Sequence, residues 1–201
     1  MRVLIACEYS GTVRDAFRAR GHDAVSCDLL PTERDGPHYM GDVLDILSDG
    51  WDMMIAHPPC THLAVSGAAH FKRKRESGEQ QAALDFVRAL LDAPIPRIAL
   101  ENPVSIISSH IRPPDQIVQP YEYGHDASKR TCLWLKGLSP LRPTSYVEPR
   151  VVVTPSGRLA NRWANQCSNY GHDSLSPSPD RWKIRSATYQ GIADAMAAQW
   201  G

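Results

Sequence analysis

The sequence has no excess of charge of either sign. Lysine plus arginine number 22 and aspartate plus glutamate number 22, so the formal net charge is zero. A protein that binds nucleic acid indiscriminately usually carries a strongly positive charge. The composition therefore argues against such a binder, although it leaves room for a local basic surface.

Paired cysteines and long apolar runs are also missing. The five cysteines are scattered and form no C-x-x-C pair. Such a set, without a secretory leader, is typical of reduced thiols, so we expect a cytoplasmic protein. The apolar run Met1–Ala6 is too short for a signal peptide or a membrane span, and we expect no membrane partner. The spacing of Cys60, His62 and His70 matches no standard zinc pattern, so we predict no metal.

The start of the chain is typical of a strand, a glycine turn and a helix. Arg2–Cys7 is an apolar strand, Glu8–Thr12 forms a tight turn, and Val13–Arg20 has helical spacing up to Gly21. Helix amides at such a turn can bind a polar or anionic ligand group. The turn lacks the full G-x-G-x-x-G pattern, so an ordinary first βα turn of any α/β protein is an equal alternative.

Acidic residues stand at the ends of three predicted early strands. They are Glu8, Asp28 and Asp42, the last within Gly41-Asp42-Val43. An acid at the end of the second strand binds ribose hydroxyls in nucleoside-binding folds, and Asp42 can accept a hydrogen bond from an exocyclic amine. Asp28 taken alone fits a helix cap equally well.

A cysteine follows a buried strand and two prolines in the stretch Asp52–Cys60. The apolar run Met53–Ala56 predicts the strand, and His57-Pro58-Pro59-Cys60 ends it. Each proline fixes its own φ and restricts the residue before it, so Cys60 is held on a stiff turn. The carboxyl ends of strands carry ligands and chemistry in open α/β sheets. The alternative is a buried, inert thiol.

A carboxylate follows the next predicted strand in the same way. The run Arg97–Leu100 leads into Glu101-Asn102-Pro103. If the two strands are neighbours, Glu101 lies beside Cys60. A thiolate that adds to a ring and an acid that manages the charge on that ring make a coherent pair. The alternative is that Glu101 caps the segment after it.

Between these strands, the sequence predicts a mobile loop and then a helix, Glu76–Asp92. The loop ends in a basic cluster, Lys72, Arg73, Lys74 and Arg75. The cluster is suited to neutralising phosphates, but a solvated charged surface is an equal alternative.

The second half of the chain begins with a predicted strand pair, Gln116–Gly124 and Lys129–Lys136. Arg130 can present its guanidinium to the same site as Cys60 and Glu101.

We predict a core domain over residues 1–138 and a loop-rich, recognition-like insertion over 139–185. There, Arg162 and Arg181 interleave with aromatic residues such as Trp182. This mixture suits contact with nucleic acid, or a plain loop packed by tryptophans. A helix from Ser186 returns to the core over residues 186–201.

The order of these pieces resembles the cytosine-C5 DNA methyltransferases of the class I, S-adenosylmethionine-dependent kind. The motifs that carry the resemblance are Ser10-Gly11, Asp28, Gly41-Asp42-Val43, Pro58-Pro59-Cys60, Glu101-Asn102-Pro103, Lys129-Arg130 and Tyr189-Gln190-Gly191-Ile192-Ala193. The chain departs from the family in its single first-motif glycine and in Thr61, where glutamine is common. Cys132 stands where a second arginine is usual, and a large target-recognition domain is missing.

The resemblance implies a Rossmann-like class I methyltransferase sheet with helices on both faces. It implies that S-adenosyl-L-methionine is bound by Glu8, Ser10, Gly11, Asp28, Asp42, Val43, Pro58 and Gly191. Cys60 would attack C6 of an extrahelical cytosine in DNA, with Glu101 at N3 and the exocyclic amine and Arg130 assisting. DNA contacts would come from Lys72, Arg73, Lys74, Arg75, Arg162 and Arg181.

Two alternatives to this function stay open. The first is a transferase on the same frame that acts on free nucleotides or RNA, or adds another group. The second is a degenerate, non-enzymatic protein that binds nucleic acid, against which the joint presence of Cys60 and Glu101 argues. The missing recognition domain also suggests that a partner subunit or a homodimer supplies specificity.

Overall fold

A seven-stranded sheet organises the chain in the computed structural model, which describes residues 1–167, 169–171, 175, 178 and 181–201. The strands are β1 (Arg2–Ala6), β2 (Asp23–Asp28), β3 (His38–Met40), β4 (Met53–Ala56), β5 (Arg97–Pro103), β6 (Gln116–Val118) and β7 (Thr131–Lys136). Their spatial order is β3-β2-β1-β4-β5-β7-β6. All neighbours run parallel except β7, which is antiparallel to β5 and β6.

Helices cover both faces of this sheet. They are α1 (Thr12–Arg18), α2 (Phe71–Glu76), α3 (Glu79–Leu91), α4 (Ile107–His110), α5 (Arg181–Ser186) and α6 (Gln190–Trp200). On one face α3 buries Leu84 and Leu90. On the other, Phe17 of α1 packs with Met196 and Trp200 of α6. The predicted Rossmann-like α/β fold is confirmed.

The strands β1 and β4 are fully buried because they lie in the middle of the sheet. Parallel strands covered on both faces have continuous apolar sequences, which explains the runs Val3–Ala6 and Met53–Ala56. The predicted neighbours β4 and β5 are paired, and so are β6 and β7. These pairings bring the carboxyl ends of β4, β5 and β6 and the amino end of β7 to one edge of the sheet.

Two predicted boundaries are wrong. The helix expected over Glu76–Asp92 is α3 and begins at Glu79, because Glu76 ends α2 and Gly78, with a φ of 78°, separates the two helices. Such left-handed backbone favours glycine. The helix expected from Ser186 begins at Gln190, since Ser186 ends α5 and Tyr189 is extended.

Two further elements depart from the predicted loops. The segment after Cys60, expected as a loop, contains a short 3-10 helix, Val65–His70, followed by α2. The segment expected to be irregular contains a hairpin of β8 (Arg150–Val153) and β9 (Leu159–Arg162), and then α5. The side chain of Trp182, which was predicted to contact nucleic acid, lies outside the described residues.

Candidate active site

His57 and Glu101 face each other just past the last paired residues of β4 and β5. The strand predicted to stop before Glu101 continues to Pro103, because Glu101, Asn102 and Pro103 pair with the antiparallel β7. Ala56 pairs with Leu100 in the parallel register, so the next residue of each strand comes side by side. The Nδ1 atom of His57 lies 3.1 Å from Oε2 of Glu101, and the two side chains are 10% and 12% exposed. A carboxylate shielded in this way needs hydrogen-bond donors, and His57 supplies one.

The turn that carries Cys60 is fixed by hydrogen bonds to its backbone. The buried Asn102 donates from Nδ2 to the carbonyl of Pro58 at 2.9 Å. The carbonyl of Cys60 accepts from the amides of Leu63 and Ala64 at 3.0 and 2.9 Å. The Glu-Asn-Pro and Pro-Pro-Cys motifs are therefore physically linked, with Asn102 tying one to the other.

The residues after Cys60 are held by two buried polar side chains. Lys74 donates from Nζ to the carbonyl of Thr61, and Gln80 donates to the carbonyl of His62 at 3.3 Å. Lys74 was predicted to bind phosphate with its neighbours, but its ammonium group is turned inward. The other members of the basic cluster, Lys72, Arg73 and Arg75, are exposed.

The electrostatic surroundings keep Glu101 ionised. Burial raises the pKa of the Glu101 carboxyl. The hydrogen bond from His57, the positive charge of Lys129 and a hydrogen bond from Thr131 outweigh burial. The net effect holds the pKa of Glu101 below the ordinary glutamate value. An ionised carboxylate in a shielded place can accept hydrogen bonds from a polar ring.

The same surroundings disfavour the thiolate of Cys60. Burial raises the pKa of the Cys60 thiol, and the nearby charge of Glu101 raises it further. The positive charges of Lys129 and Arg185 and a backbone hydrogen bond act in the opposite direction but do not cancel the rise. Cys60 is therefore a protonated thiol at neutral pH in the ligand-free protein, and its reactivity depends on nearby cations.

Lys129, the neighbour of the predicted Arg130, is a basic residue whose charge lowers the pKa of both Cys60 and Glu101. Burial raises the pKa of Cys132, and Arg130 opposes that rise, so its charge bears on a different thiol. Side chains alternate along a strand, which explains why adjacent residues before β7 act on different groups. Counting back in steps of two from Leu133, which pairs with Glu101, would have identified Lys129.

A cavity of about 540 Å³ opens at the carboxyl ends of β1, β2 and β3. Asp28, Asp42 and Val43, three of the predicted cofactor residues, are among its lining residues. Asp28 accepts from the amide of Leu30 at 2.9 Å and Asp42 from that of Leu44 at 3.0 Å, each through Oδ1. Each carboxylate thus has a second oxygen with which to accept a hydrogen bond from a ligand.

The cavity is also lined by residues of α3 and of the segment around Cys60. Ala83 and Phe86 of α3 line it, as do Pro59 and His62. Pro58, predicted to bind the cofactor, is buried, and its neighbour Pro59 lines the cavity instead. Cys60, which carries the thiol, therefore directly follows a residue that lines the cavity.

The first motif is built around Glu8, which is 5% exposed. Its carboxylate accepts from the amides of Val13 and Arg14 at 2.7 and 3.2 Å and from the hydroxyl of Ser10 at 3.2 Å. It therefore caps α1, where a negative charge is favourable. Gly11 begins the helix with a φ of 72°. Glu8, Ser10 and Gly11, all predicted to bind the cofactor, do not line the cavity.

The buried Arg14 holds the loop that follows β2. It donates to the hydroxyl of Thr32 and to the carbonyls of Arg34 and Asp35, each at 3.1 Å. This loop follows Asp28 directly, so Arg14 fixes the rim of the cavity. No sequence signal indicates this role, because a buried arginine depends on carbonyl partners that the tertiary fold supplies.

The remaining predicted residues lie in other parts of the fold. Gly191 is at the start of α6, where a β-carbon would come within 1.9 Å of the carbonyl oxygen of Tyr123. This contact explains the glycine without a ligand. Arg162 is in β9 and donates to the carbonyl of Asn161 at 2.9 Å, while Arg181 begins α5.

The described residues contain neither a metal-binding cluster nor a membrane-spanning helix. No group of three or more His, Cys, Asp or Glu side chains there is arranged to hold a metal ion. None of the helices in those ranges is both long and apolar enough to cross a membrane.

Comparison with known proteins gives a structural likeness but no sequence match. No family model matches the sequence, and no curated protein is similar to it. The chain is similar in structure to an E. coli protein named as a candidate DNA modification methyltransferase encoded within a prophage. The TM-score is 0.46 and the identity 14%, over 73% of this chain and 52% of that chain, so this chain spans about half its length. The fold assignment therefore rests on the strand order of the chain itself.

Proposed function

We propose that the protein transfers a methyl group from S-adenosyl-L-methionine to C5 of cytosine in DNA, through a covalent adduct of Cys60. The observation that carries the proposal is the ionised Glu101, bound to His57 and close enough to Cys60 to raise the pKa of its thiol. A thiol and a shielded carboxylate that lie at the same edge of the sheet are suited to nucleophilic addition to an electron-poor ring.

The cavity supports a nucleoside-type cofactor. Its volume of about 540 Å³ lies in the range typical of small-molecule sites. Asp28 suits the hydroxyls of a ribose, and Asp42 suits an exocyclic amine, since both carboxylates accept hydrogen bonds. When bound, S-adenosyl-L-methionine supplies an electrophilic methyl group on a sulfonium. The acids and the lack of lysine and arginine in the lining favour such a cation over a phosphate-bearing ligand.

Cytosine C5 is a poor nucleophile, so the ring has to be activated. The Cys60 thiolate forms a bond to C6, and the electrons of the C5–C6 double bond become available at C5. The proton that the Cys60 thiol gives up is shared between Glu101 and N3, and Glu101 also accepts a hydrogen bond from the exocyclic amine, so that the negative charge on the ring is offset. C5 would take the methyl group as the bond from the sulfonium sulfur to that carbon breaks, and the electron pair of the broken bond would stay on sulfur as a neutral thioether. A base then removes the C5 proton, and the bond from Cys60 to C6 breaks to restore the ring.

A cytosine inside a duplex cannot reach Cys60, so the base has to leave the stack. The exposed Lys72, Arg73 and Arg75 begin about twelve residues after the nucleophile and suit contact with the phosphates around that base. Arg162 and Arg181 are proposed as further DNA contacts from the 139–185 segment.

The test is nucleoside mass spectrometry of DNA incubated with the purified protein and S-adenosyl-L-methionine. We expect 5-methyldeoxycytidine with the natural sequence and none with Cys60→Ala. Cys167→Ala is the matched control, because it removes another partly buried thiol outside the site, and it retains activity. No product on single- or double-stranded cytosine-rich DNA would contradict the proposal.

The zero net charge and the small 139–185 segment favour a second candidate, a transferase that acts on free nucleotides or RNA. The same assay with deoxycytidylate and with RNA separates the two. Product on deoxycytidylate but not on DNA would favour the second candidate. No product on any of these substrates, despite cofactor binding, would favour a protein that only binds nucleic acid.

A further inference from the structure

Helix α5 is fastened to two parts of the site that lie far apart in the sequence. The hydroxyl of Tyr9, in the turn after β1, is 2.9 Å from Oγ of Ser186. Lys129, just before β7, donates from Nζ to the carbonyl of Arg185 at 2.9 Å, across 56 residues of chain. These bonds hold α5 between the first turn of the sheet and the strand that pairs with β5.

A third contact supports the same position of α5. The Nζ atom of Lys183 lies 3.5 Å from Oε1 of Glu33, in the loop after β2. The amide of Glu33 in turn donates to the carbonyl of Tyr9 at 2.8 Å. These contacts of α5 are polar, and polar contacts of this kind are individually weak.

Lys129 lies on the same side of the strand as the active-site carboxylate. Leu133 of β7 pairs with Glu101, and Thr131 pairs with Pro103. Side chains two residues apart on an extended chain point the same way, so Lys129 follows Thr131 toward Glu101. The bond from Lys129 to the carbonyl of Arg185 then brings a second cation to this end of the sheet.

We propose that the docking of α5 completes the active site, because the bond from Lys129 to the carbonyl of Arg185 fixes both residues at the end of the sheet that carries Cys60 and Glu101. Arg185 thereby acts as a positioning residue for the reaction, through the nucleophile. The proposal rests on the proposed function, because that function gives the Cys60 thiolate its role as the nucleophile. It also assigns to α5, a part of the predicted recognition segment, a role inside the catalytic centre.

The charge balance around Cys60 explains why such help is required. Among the described residues, the charges that act on Cys60 are those of Glu101, Lys129 and Arg185. The surrounding turn and helices also carry His57, His62, Lys74 and Glu79, and His62 lies 3.9 Å from Glu79. Lys74 is bound to the carbonyl of Thr61 and His57 to Glu101. Burial and the charge of Glu101 raise the pKa of the thiol, whereas Lys129 and Arg185 lower it. Loss of α5 from its position would leave Cys60 with one cation fewer and the same carboxylate.

The proposal is tested by the reactivity of Cys60 without any turnover. The rate of carboxamidomethylation of the Cys60 peptide by iodoacetamide is measured by mass spectrometry from pH 6 to pH 10. We expect Arg185→Gln to slow the reaction about two- to tenfold at neutral pH and to shift its pH profile upward. Arg185→Lys restores most of the rate because it restores the charge.

Two further variants separate charge from position. Tyr9→Phe keeps every charge but removes the hydrogen bond to Ser186, and we expect it to slow alkylation in the same direction as Arg185→Gln. Arg20→Gln, which removes an exposed arginine at the end of α1, is the matched control and leaves the profile unchanged. An unchanged profile in Arg185→Gln would overturn the proposal.

A second reagent measures the local potential directly. Iodoacetate is anionic and iodoacetamide is neutral, so the ratio of their rates at Cys60 falls when a nearby cation is removed. We expect the ratio to fall in Arg185→Gln and not in Arg20→Gln. A fall in the ratio without any methylated nucleoside would support the role of Arg185 and contradict the proposed function. Methylation with an unchanged ratio would support the proposed function and overturn the role of Arg185.

Discussion

The hydrogen bond between Nδ1 of His57 and Oε2 of Glu101, 3.1 Å long, links the two strand ends on which the candidate chemistry depends. Removing His57 would leave a shielded carboxylate with one donor fewer. We expect His57→Ala to raise the pKa of Glu101 and to lower the free energy of unfolding by about 2 kcal/mol at neutral pH. Urea unfolding measures the change. The control is His110→Ala, an exposed histidine in α4, and an equal loss in both variants would contradict the prediction.

The lowered pKa of Glu101 also predicts a pH dependence of stability. Glutamate in an unfolded chain has a pKa of about 4.3. Because the folded-state pKa is lower, the ionised carboxylate stabilises the fold above that value, and this contribution is lost as the pH falls through the folded-state pKa. Urea unfolding from pH 7 to pH 3 should therefore show a steeper loss in the natural protein than in Glu101→Gln. Parallel curves would show that Glu101 has an ordinary pKa.

Glu101 is also expected to restrain Cys60 in the ligand-free protein. Burial raises the pKa of the thiol first, and the negative charge of Glu101 adds to the rise. Glu101→Gln removes only the second contribution, so Cys60 should react faster with iodoacetamide at neutral pH, although methyl transfer is lost. Slower alkylation of Cys60 in this variant would contradict the electrostatic account.

The cofactor cavity can be closed without touching the catalytic strand ends. Ala83 of α3 lines the cavity, and Ala83→Phe should abolish binding of S-adenosyl-L-methionine, measured by calorimetry. Gln81→Phe places the same ring on the exposed side of α3 and should leave binding unchanged. Asp42→Ala should weaken binding roughly ten- to hundredfold, as expected for the loss of a charge-assisted hydrogen bond. Normal binding by Ala83→Phe would mean that the cofactor binds elsewhere.

Neighbouring lysines in the basic cluster are expected to behave differently. Lys72 is exposed, so Lys72→Ala should reduce the salt dependence of DNA binding by about one phosphate contact and leave stability unchanged. Lys74 is buried and bound to the carbonyl of Thr61, so Lys74→Met should lower the free energy of unfolding and slow methyl transfer. Fluorescence anisotropy at several salt concentrations and urea unfolding distinguish the two effects. A matching salt effect in both variants would show that Lys74 contacts DNA.

The strand ends that carry Cys60 and Glu101 were predictable because local sequence determines them. An apolar run that ends in proline indicates both the strand and where it stops. The parallel neighbours β4 and β5 then bring these ends together, as expected for an α/β sheet. Asp28 and Asp42 likewise stand at or just after the ends of parallel strands, β2 and β3, and both line one cavity.

Other features depend on the tertiary fold and were therefore not predicted. Lys74 is part of a basic run, and only the carbonyl of Thr61 distinguishes it from Lys72. Similarly, the choice between Lys129 and Arg130 depends on the register between β5 and β7, since a shift of one residue exchanges the two faces.

The packing of α6 against α1 has a consequence for how the protein is made. Phe17 belongs to the same buried cluster as Met196 and Trp200, which lie almost the whole chain away. During synthesis, β1 and α1 leave the ribosome early but keep an uncovered apolar surface until α6 emerges. Pairing across such a separation forms slowly. A nascent chain arrested before residue 190 should therefore be captured by holdase chaperones, and one released after residue 200 should not.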